Sequence, residues 1–323
     1  YSRRTCLFVA LHFTTGPVIL STYNGEKYLK EQMDSFLSQE GVDITLFVRD
    51  DGSTDRTVEM IQSYSDKMDI LLFKESNVGF ERSFRLAVLK TESRSFDFYA
   101  FCDQDDIWYE DKLAKGIDYI ESLGNNEPIL YCSNQQIIDE QGQFVRDEED
   151  KQNRITKESS LFALNQRGCV MVWNDSLHTH LKASYQMMDT NEFIPAHDTW
   201  ITILAYALGQ VYIDNARTMG YRVSTHNTAG SYIGLTGRIG YIWKKLGMVS
   251  QKRKHQRTQL SQLLLTYLET VPASDSGYIR AFLKSQSSFI QSSKFAFSSR
   301  QYFQGMSKKW VILTKLLILF RRV

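Results

Sequence analysis

Apolar positions in the first two-thirds of the chain alternate between two rhythms. Short continuous apolar runs predict strands, and apolar residues three and four apart predict helices. Val18–Thr22 predicts a strand that Pro17 truncates on its N-terminal side. After Asn24-Gly25, a helix places Tyr28, Leu29, Met33, Phe36 and Leu37 on one face. Ile44–Arg49 predicts a second strand running into Asp50-Asp51-Gly52-Ser53, and Thr54 and Asp55 are placed to cap a helix bearing Val58, Ile61 and Tyr64. Asp69–Phe73 predicts a third strand, and Gly79 opens a helix through Leu89. Phe96–Cys102 predicts a fourth strand, followed by Asp103-Gln104-Asp105-Asp106, with the next helix marked by Leu113, Ile117 and Ile120.

Such alternation predicts an α/β fold, a parallel sheet flanked by helices. Further along, Ile129–Ile138 predicts a strand and Asp147 to Lys157 a charged loop. Ala196–Leu208 predicts a helix opened by His197-Asp198, and Gln210–Asp214 and Arg217–Val223 predict two late strands. Beyond Trp243 the pattern is helical, basic and rich in serine and glutamine, and no internal repeat is present. The expected division is a leader over 1–17, a catalytic domain over 18–242 and a helical basic region over 243–323. The leader carries Arg3 and Arg4 before a short apolar patch without a small-residue cleavage site, so it does not read as a signal peptide; the expectation is a segment that is either non-native or poorly ordered.

Charge changes the picture more than composition does. From Trp243 to Val323 there are 15 Lys and Arg against 2 Asp and Glu, a balance of +13. The remainder holds 23 basic and 35 acidic residues, a balance of −12, so a net charge of +1 conceals an acidic body and a basic tail. A basic tail selects a polyanion, an anionic lipid surface or nucleic acid. Lys252-Arg253-Lys254-His255-Gln256-Arg257 suits lipid headgroups. Lys308, Lys309, Lys315, Arg321 and Arg322 flank the apolar stretch Trp310–Phe320, which is too short to span a bilayer but has the character of an interfacial helix; the alternative is a helix packed on the body. The lipid surface is the expected partner, with no nucleic acid. Cys6, Cys102, Cys132 and Cys169 form no Cys-x-x-Cys pair and suit a reducing compartment.

Candidate chemistry collects where strands end. In open α/β sheets ligands bind at the carboxyl ends of the strands, and Tyr23-Asn24, Asp50-Asp51 and Asp103 to Asp106 all fall there. Asp103 and Asp105 can share one hard cation, Mg²⁺ or Mn²⁺, which would offset charge on a diphosphate; the plainer reading is a solvated turn capping a helix at Trp108. Asp50-Asp51-Gly52-Ser53 can accept a hydrogen bond from a base, or can simply turn the chain. Tyr23 can stack on a base or sit at a rim. Arg82 can meet a phosphate or pair with Glu81 or Asp106. Asp198 can serve as a general base or as a helix cap. His226 can bind a metal or phosphate, or be a hydrogen-bonded loop histidine.

At these residues the chain resembles family 2 glycosyltransferases. The resemblance rests on Val18-Ile-Leu-Ser-Thr-Tyr-Asn-Gly-Glu, Val48-Arg-Asp-Asp-Gly-Ser-Thr-Asp, Asn77-Val-Gly-Phe-Glu-Arg, Cys102-Asp-Gln-Asp-Asp-Ile-Trp, His197-Asp-Thr-Trp and Tyr221-Arg, in that order between Val18 and Gly230. It implies the GT-A fold, a Rossmann-like mixed and mostly parallel sheet. It also implies that Ser21, Tyr23 and Asp51 hold the nucleotide base with Asp50 beside them, that Gln104 lines the donor site, and that Arg82 lies near the phosphates. Asp105, aided by Asp103, would be the metal contact, and Asp198 the base of an inverting transfer. The Asp-Gln-Asp-Asp-Ile-Trp wording is similar to bacterial rhamnosyltransferase-type members of surface polysaccharide synthesis. That similarity implies dTDP-L-rhamnose as donor, a glycan or polyprenyl-linked acceptor, and action at the inner face of the cell membrane. Related sequences often carry His three residues after the Tyr of Tyr-Arg; this chain has Ser224 there and His226 two residues on. The competing readings are a metal-dependent nucleotidyltransferase, which lacks its usual glycine-rich phosphate loop here, and a non-enzymatic polyanion binder.

Overall fold

Val18, Ile19 and Leu20 are fully buried on both faces of their strand, as a central strand covered by helices requires. The architecture around them comes from a computed structural model that describes residues 14–91, 96–124, 126–151, 154–163, 166–188, 193–223, 256–272 and 274–319. Most of the leader with Cys6, the loop with Ser224 and His226, the Lys252–His255 cluster, and Arg321 and Arg322 lie outside the described residues.

Among the described residues nine strands form one sheet: β1 (Thr14–Thr22), β2 (Val42–Asp50), β3 (Asp69–Lys74), β4 (Tyr99–Cys102), β5 (Ile107–Trp108), β6 (Ile129–Ile138), β7 (Phe144–Asp147), β8 (Met171–Trp173) and β9 (Gln210–Arg222). Their order is β3-β2-β1-β4-β8-β6-β9-β5, with β7 paired to β6. β1 to β4 are mutually parallel, β8 runs against both β4 and β6, and β6 pairs β9 in parallel. Six strands therefore point one way and three oppose them, the mixed but mostly parallel α/β sheet expected. Helices α1 (Leu29–Leu37), α2 (Thr57–Gln62), α3 (Phe80–Lys90), α4 (Lys112–Leu123), α5 (Lys157–Ser160), α6 (Asp175–Met187) and α7 (His197–Leu208) join the strands.

Several local expectations change. Pro17 sits inside β1 opposite Thr45 of β2. The ladder to β4 begins only at Val18, so the missing N–H falls where β1 is paired on one side. Leu37 is exposed at the last turn of α1, and Gln32 and Ser35 take buried places instead. The two late strands are one, β9, whose register against β6 slips twice; Asp214 accepts the Ala216 N–H within it, so the polar stretch bulges without ending the strand. Trp108 lies in β5, not at a helix start, and is buried against Phe36. β8 and α6 were not expected.

Beyond residue 255, helices span Gln256–Leu268, Gly277–Ser285, Phe289–Ser298 and Lys308–Leu319. Leu260, Leu264, Phe282, Tyr302 and Ile318 belong to the same continuous core as the sheet. Phe162 meets Phe282 edge-on at 5.1 Å, and His180 Nδ1 lies 2.8 Å from the Tyr267 hydroxyl.

Gly116 lets α4 approach the sheet closely: a Cβ there would lie 2.8 Å from Val172 Cβ on β8. Helix propensity alone predicts that Gly116→Ala stabilises α4 by about 1 kcal/mol. Packing predicts the reverse, a loss of roughly 1–3 kcal/mol from overfilling a buried site. Urea unfolding of the variant is expected to show the loss.

Candidate active site

All six parallel strands end on one edge, and the loops leaving β1, β2 and β4 meet there. They are joined by side-chain-to-backbone hydrogen bonds. The Gln104 amide clasps Tyr23, accepting its N–H at 2.9 Å and donating to its carbonyl at 3.1 Å. Asn24, in the left-handed region at φ 47, donates its N–H to Ser53 Oγ, while its side-chain oxygen accepts from Thr54 N. Gly25 N donates to Thr57 Oγ1, and Glu26 N to Asp55. Asp55 also accepts the Thr57 N–H, so it starts α2 and ties it to the first loop.

Asp50 and Asp51 are buried and already well engaged. Asp50 accepts from Thr22 Oγ1, Ser53 N and Ser53 Oγ. Asp51 accepts Arg49 Nη1 at 2.5 Å and the N–H groups of Val78 and Gly79 at 2.9 and 3.0 Å. Gly52 between the loops has φ +83, and a Cβ there would crowd Asn77 N at 3.2 Å, so the turn requires glycine. Arg49 is fully buried and also holds Glu75, the Ser76 carbonyl and Ser83 Oγ. Ser83 Oγ is 2.5 Å from Ser21 Oγ. Ser21, Asp51 and the start of α3 thus form one network around Arg49, a residue to which sequence reasoning gave no role. A carboxylate offers about four acceptor positions, so Asp51 retains capacity for a base N–H. Tyr23 stands half exposed at the rim. Arg82 is exposed in the first turn of α3, and among the described residues it has no ion-pair partner, neither Glu81 nor the buried Asp106.

The β4 loop crowds carboxylates. Asp103, Asp106 and Cys169 present potential ligand atoms within 4.8 Å of one another. The turn therefore groups Asp103 with Asp106, three residues on, and Asp105 sits alongside. Burial and the charges of Asp105 and Asp198 push the Asp103 carboxyl up to about 7. Burial, then Asp105 and Asp103, holds Asp106 well above the usual carboxylate range. Burial and the same two carboxylates, Asp106 and Asp103, keep the Cys169 thiol well above its usual value. Asp106 Oδ2 is buried with no hydrogen-bond partner. Hard oxygen donors with an orphaned carboxylate oxygen fit Mg²⁺ or Mn²⁺, for which the soft Cys169 sulfur is a poor match.

Two buried cations back this cluster. Arg222, at the end of β9, donates its N–H to Asp106 Oδ1 and its Nε to the Asp105 carbonyl. Its guanidinium also meets the Asp139 and Glu140 carbonyls and pairs with Glu31 at 2.9 Å. Lys112 lies 4.7 Å over the Trp108 ring, and burial lowers it to about 8.

Asp198 is not the cap of α7. That position is Ala196, and the half-buried Asp198 carboxylate in the first turn accepts the adjacent Thr199 N–H. The turn is anchored by His197, stacked on Phe84 at 3.7 Å and set 4.6 Å from Phe101 of β4. Burial lowers His197 to about 4, so the ring is neutral. The His197–Phe101 contact sets the start of α7 beside the end of β4, and the Asp198 charge adds to the rise of the Asp103 carboxyl.

The sequence profile described as "Glycosyl transferase family 2" matches residues 18–172. The chain is 30% identical over 239 residues to a dTDP-rhamnosyl transferase, RfbG, of Shigella flexneri, covering 72% of this chain and 80% of that one. It is 30% identical over 158 residues to an Escherichia coli UDP-Glc:alpha-D-GlcNAc-diphosphoundecaprenol beta-1,3-glucosyltransferase, WfgD, covering 48% of this chain and 58% of that one. Among solved structures, S. aureus TarS 1–349 in complex with UDP-GlcNAc superposes with a TM-score of 0.56 at 15% identity, covering 95% of this chain and 81% of that one.

The Arg49 network generates a stability prediction. Asp51→Asn exchanges one acceptor for a donor among three donors, so the unliganded protein is expected to lose about 1.5–3 kcal/mol of stability. Denaturant unfolding without nucleotide measures it. An unchanged midpoint would show that Asp51 does not hold the loop.

Proposed function

We propose a reaction for this chain from one settled premise: it belongs to glycosyl transferase family 2 and is a glycosyltransferase. The donor we assign is dTDP-L-rhamnose, and the acceptor is a hydroxyl of a glycan or polyprenyl-linked sugar in bacterial surface polysaccharide synthesis. The likeness to RfbG supports the donor, and the diphosphoundecaprenol acceptor in the WfgD name supports the acceptor class. Synthesis at the inner face of the cell membrane follows from such an acceptor; among the described residues no helix is long and apolar enough to cross a membrane.

The observation that carries the chemistry is the packing of His197 on Phe101 at the end of β4, which brings the adjacent Asp198 near enough for its charge to act on Asp103. Asp103 and Asp106, with Asp105 beside them, would hold Mg²⁺ or Mn²⁺. That cation supplies charge stabilisation for a departing nucleoside diphosphate. Tyr23, Ser21, Asp50 and Asp51 form the base end of the donor site, Gln104 holds the loop that shapes it, and Arg82 reaches toward the phosphates. Asp198 accepts the proton of the attacking hydroxyl. The new bond joins the acceptor oxygen to the anomeric carbon, the bond from that carbon to the diphosphate oxygen breaks, and the diphosphate leaves with the electron pair. Attack from the side opposite the leaving group inverts the anomeric centre.

Asp198→Asn is nearly isosteric and lies off the cap position, so it is expected to fold and to bind donor as the parent does while losing rate by roughly 10²–10⁴-fold. Product formation and donor affinity measured on one preparation decide this; retained rate would remove Asp198 as the base. Asp105→Asn is expected to nearly abolish turnover in a folded protein. Across dTDP-, UDP- and GDP-sugars, turnover is expected with dTDP-L-rhamnose and with release of dTDP. Pyrophosphate release instead would favour nucleotidyl transfer.

A further inference from the structure

The four most exposed large apolar side chains among the described residues are Phe289, Ile290, Phe297 and Ile312, each 61–73% exposed. All lie on the two adjacent helices Phe289–Ser298 and Lys308–Leu319, which pack against each other. Ile290, Lys294 and Phe297 recur at helical spacing and make one stripe; Lys308, Ile312 and exposed Leu316 make another. Lys315 joins them, its ammonium 5.7 Å from the Phe297 ring. The opposite side of the second helix, at Thr314 and Ile318, is buried. One side of this pair is therefore fixed to the protein, and the other presents apolar side chains among lysines.

Charge on this face is unopposed. From Ser276 to Leu319 there are seven Lys and Arg and no Asp or Glu. Among the described residues Lys294, Arg300, Lys308 and Lys309 have no ion-pair partner. Arg300 and Lys315 also line an open cleft of about 530 Å³ with Gln301, Phe303, Gln304 and Val311. Two cations, two amides and no carboxylate suit a phosphate group.

We infer that this two-helix face docks on an anionic lipid bilayer, its exposed apolar side chains entering the interface and the Arg300–Lys315 cleft receiving a headgroup phosphate. A bilayer surface is the partner that accepts aliphatic side chains and cations from one face together. A second copy joined by a two-fold axis would bring these same cations onto one another. Nucleic acid has no place for Ile290, Ile312 and Leu316. The surface stands on observations separate from the donor site, so its failure leaves the transfer reaction untouched.

Flotation with phosphatidylcholine vesicles, with and without phosphatidylglycerol, tests the docking. The intact chain is expected to float with the anionic vesicles, less so at high salt, and not with the neutral ones. Each charge removed is expected to lower partitioning about 5-fold. Lys294→Gln/Lys308→Gln/Lys309→Gln then loses roughly 10²-fold, and Phe297→Ser/Ile312→Ser loses binding while leaving the seven charges in place. Thermal unfolding and the shift induced by dTDP, unchanged in both variants, show that the fold and the donor site persist. Equal flotation with both vesicle types, flotation with neither, variants that float like the parent, tighter binding to a DNA duplex than to anionic vesicles, or self-association through this face would each overturn the proposal.

Discussion

Carboxylates forced together at the end of β4 are the constraint on which this site depends. Asp103, Asp105 and Asp106 follow one another in a turn, and Asp198 approaches from α7; left alone, these groups repel and spread. The fold prevents that with backbone. Asp106 Oδ1 accepts the Arg222 N–H and the Asp105 carbonyl accepts from the Arg222 guanidinium, so the turn is fixed while Asp106 Oδ2 keeps no hydrogen-bond partner. The cost appears in the raised carboxyls of Asp103 and Asp106. A divalent cation would relieve that cost, which is the physical reason for the metal in the proposed reaction.

The rest of the platform follows the same logic. Gln104, Asn24, Ser53, Asp50 and Asp51 have the composition of ligand-contacting residues, yet most of their hydrogen-bonding capacity goes into lacing three loops together. Building the pocket and contacting the donor are therefore not separable by residue type. A variant at Asp51 disturbs Arg49, Glu75 and the start of α3 before any nucleotide enters, and a loss of activity there reports on both roles.

Much of this was legible in the sequence because the signal was local. The strand from Ile129 to Ile138 and the helix bearing Leu113, Ile117 and Ile120 show clear periods, and the structure reproduces them. The polar clusters were legible because they interrupt apolar runs at strand ends. What escaped was non-local or too short. β8 has three residues and no period to read, and α6 buries His178 and Ser184 among its apolar residues, which blurs its stripe. Arg49 and Arg222 escaped because arginine usually signals a surface, and they are buried by contacts that include distant ones, Glu75 lying 26 positions from Arg49 and Glu31 lying 191 from Arg222. Pro17 misled for the opposite reason: its local preference is real, but the absence of a β4 partner at that position removes the penalty.

The central claim is that the braced carboxylates form a preformed site for a divalent cation and the diphosphate of a nucleotide donor. Calorimetric titration of dTDP into the protein, once with Mn²⁺ and once with a chelator, tests it most directly. The account predicts clear binding with Mn²⁺, loss of most of that affinity under chelation, and weakening of the Mn²⁺-dependent part as pH falls below about 7, where protonation of Asp103 competes with the cation. Equal affinity with and without the metal at neutral pH would contradict it.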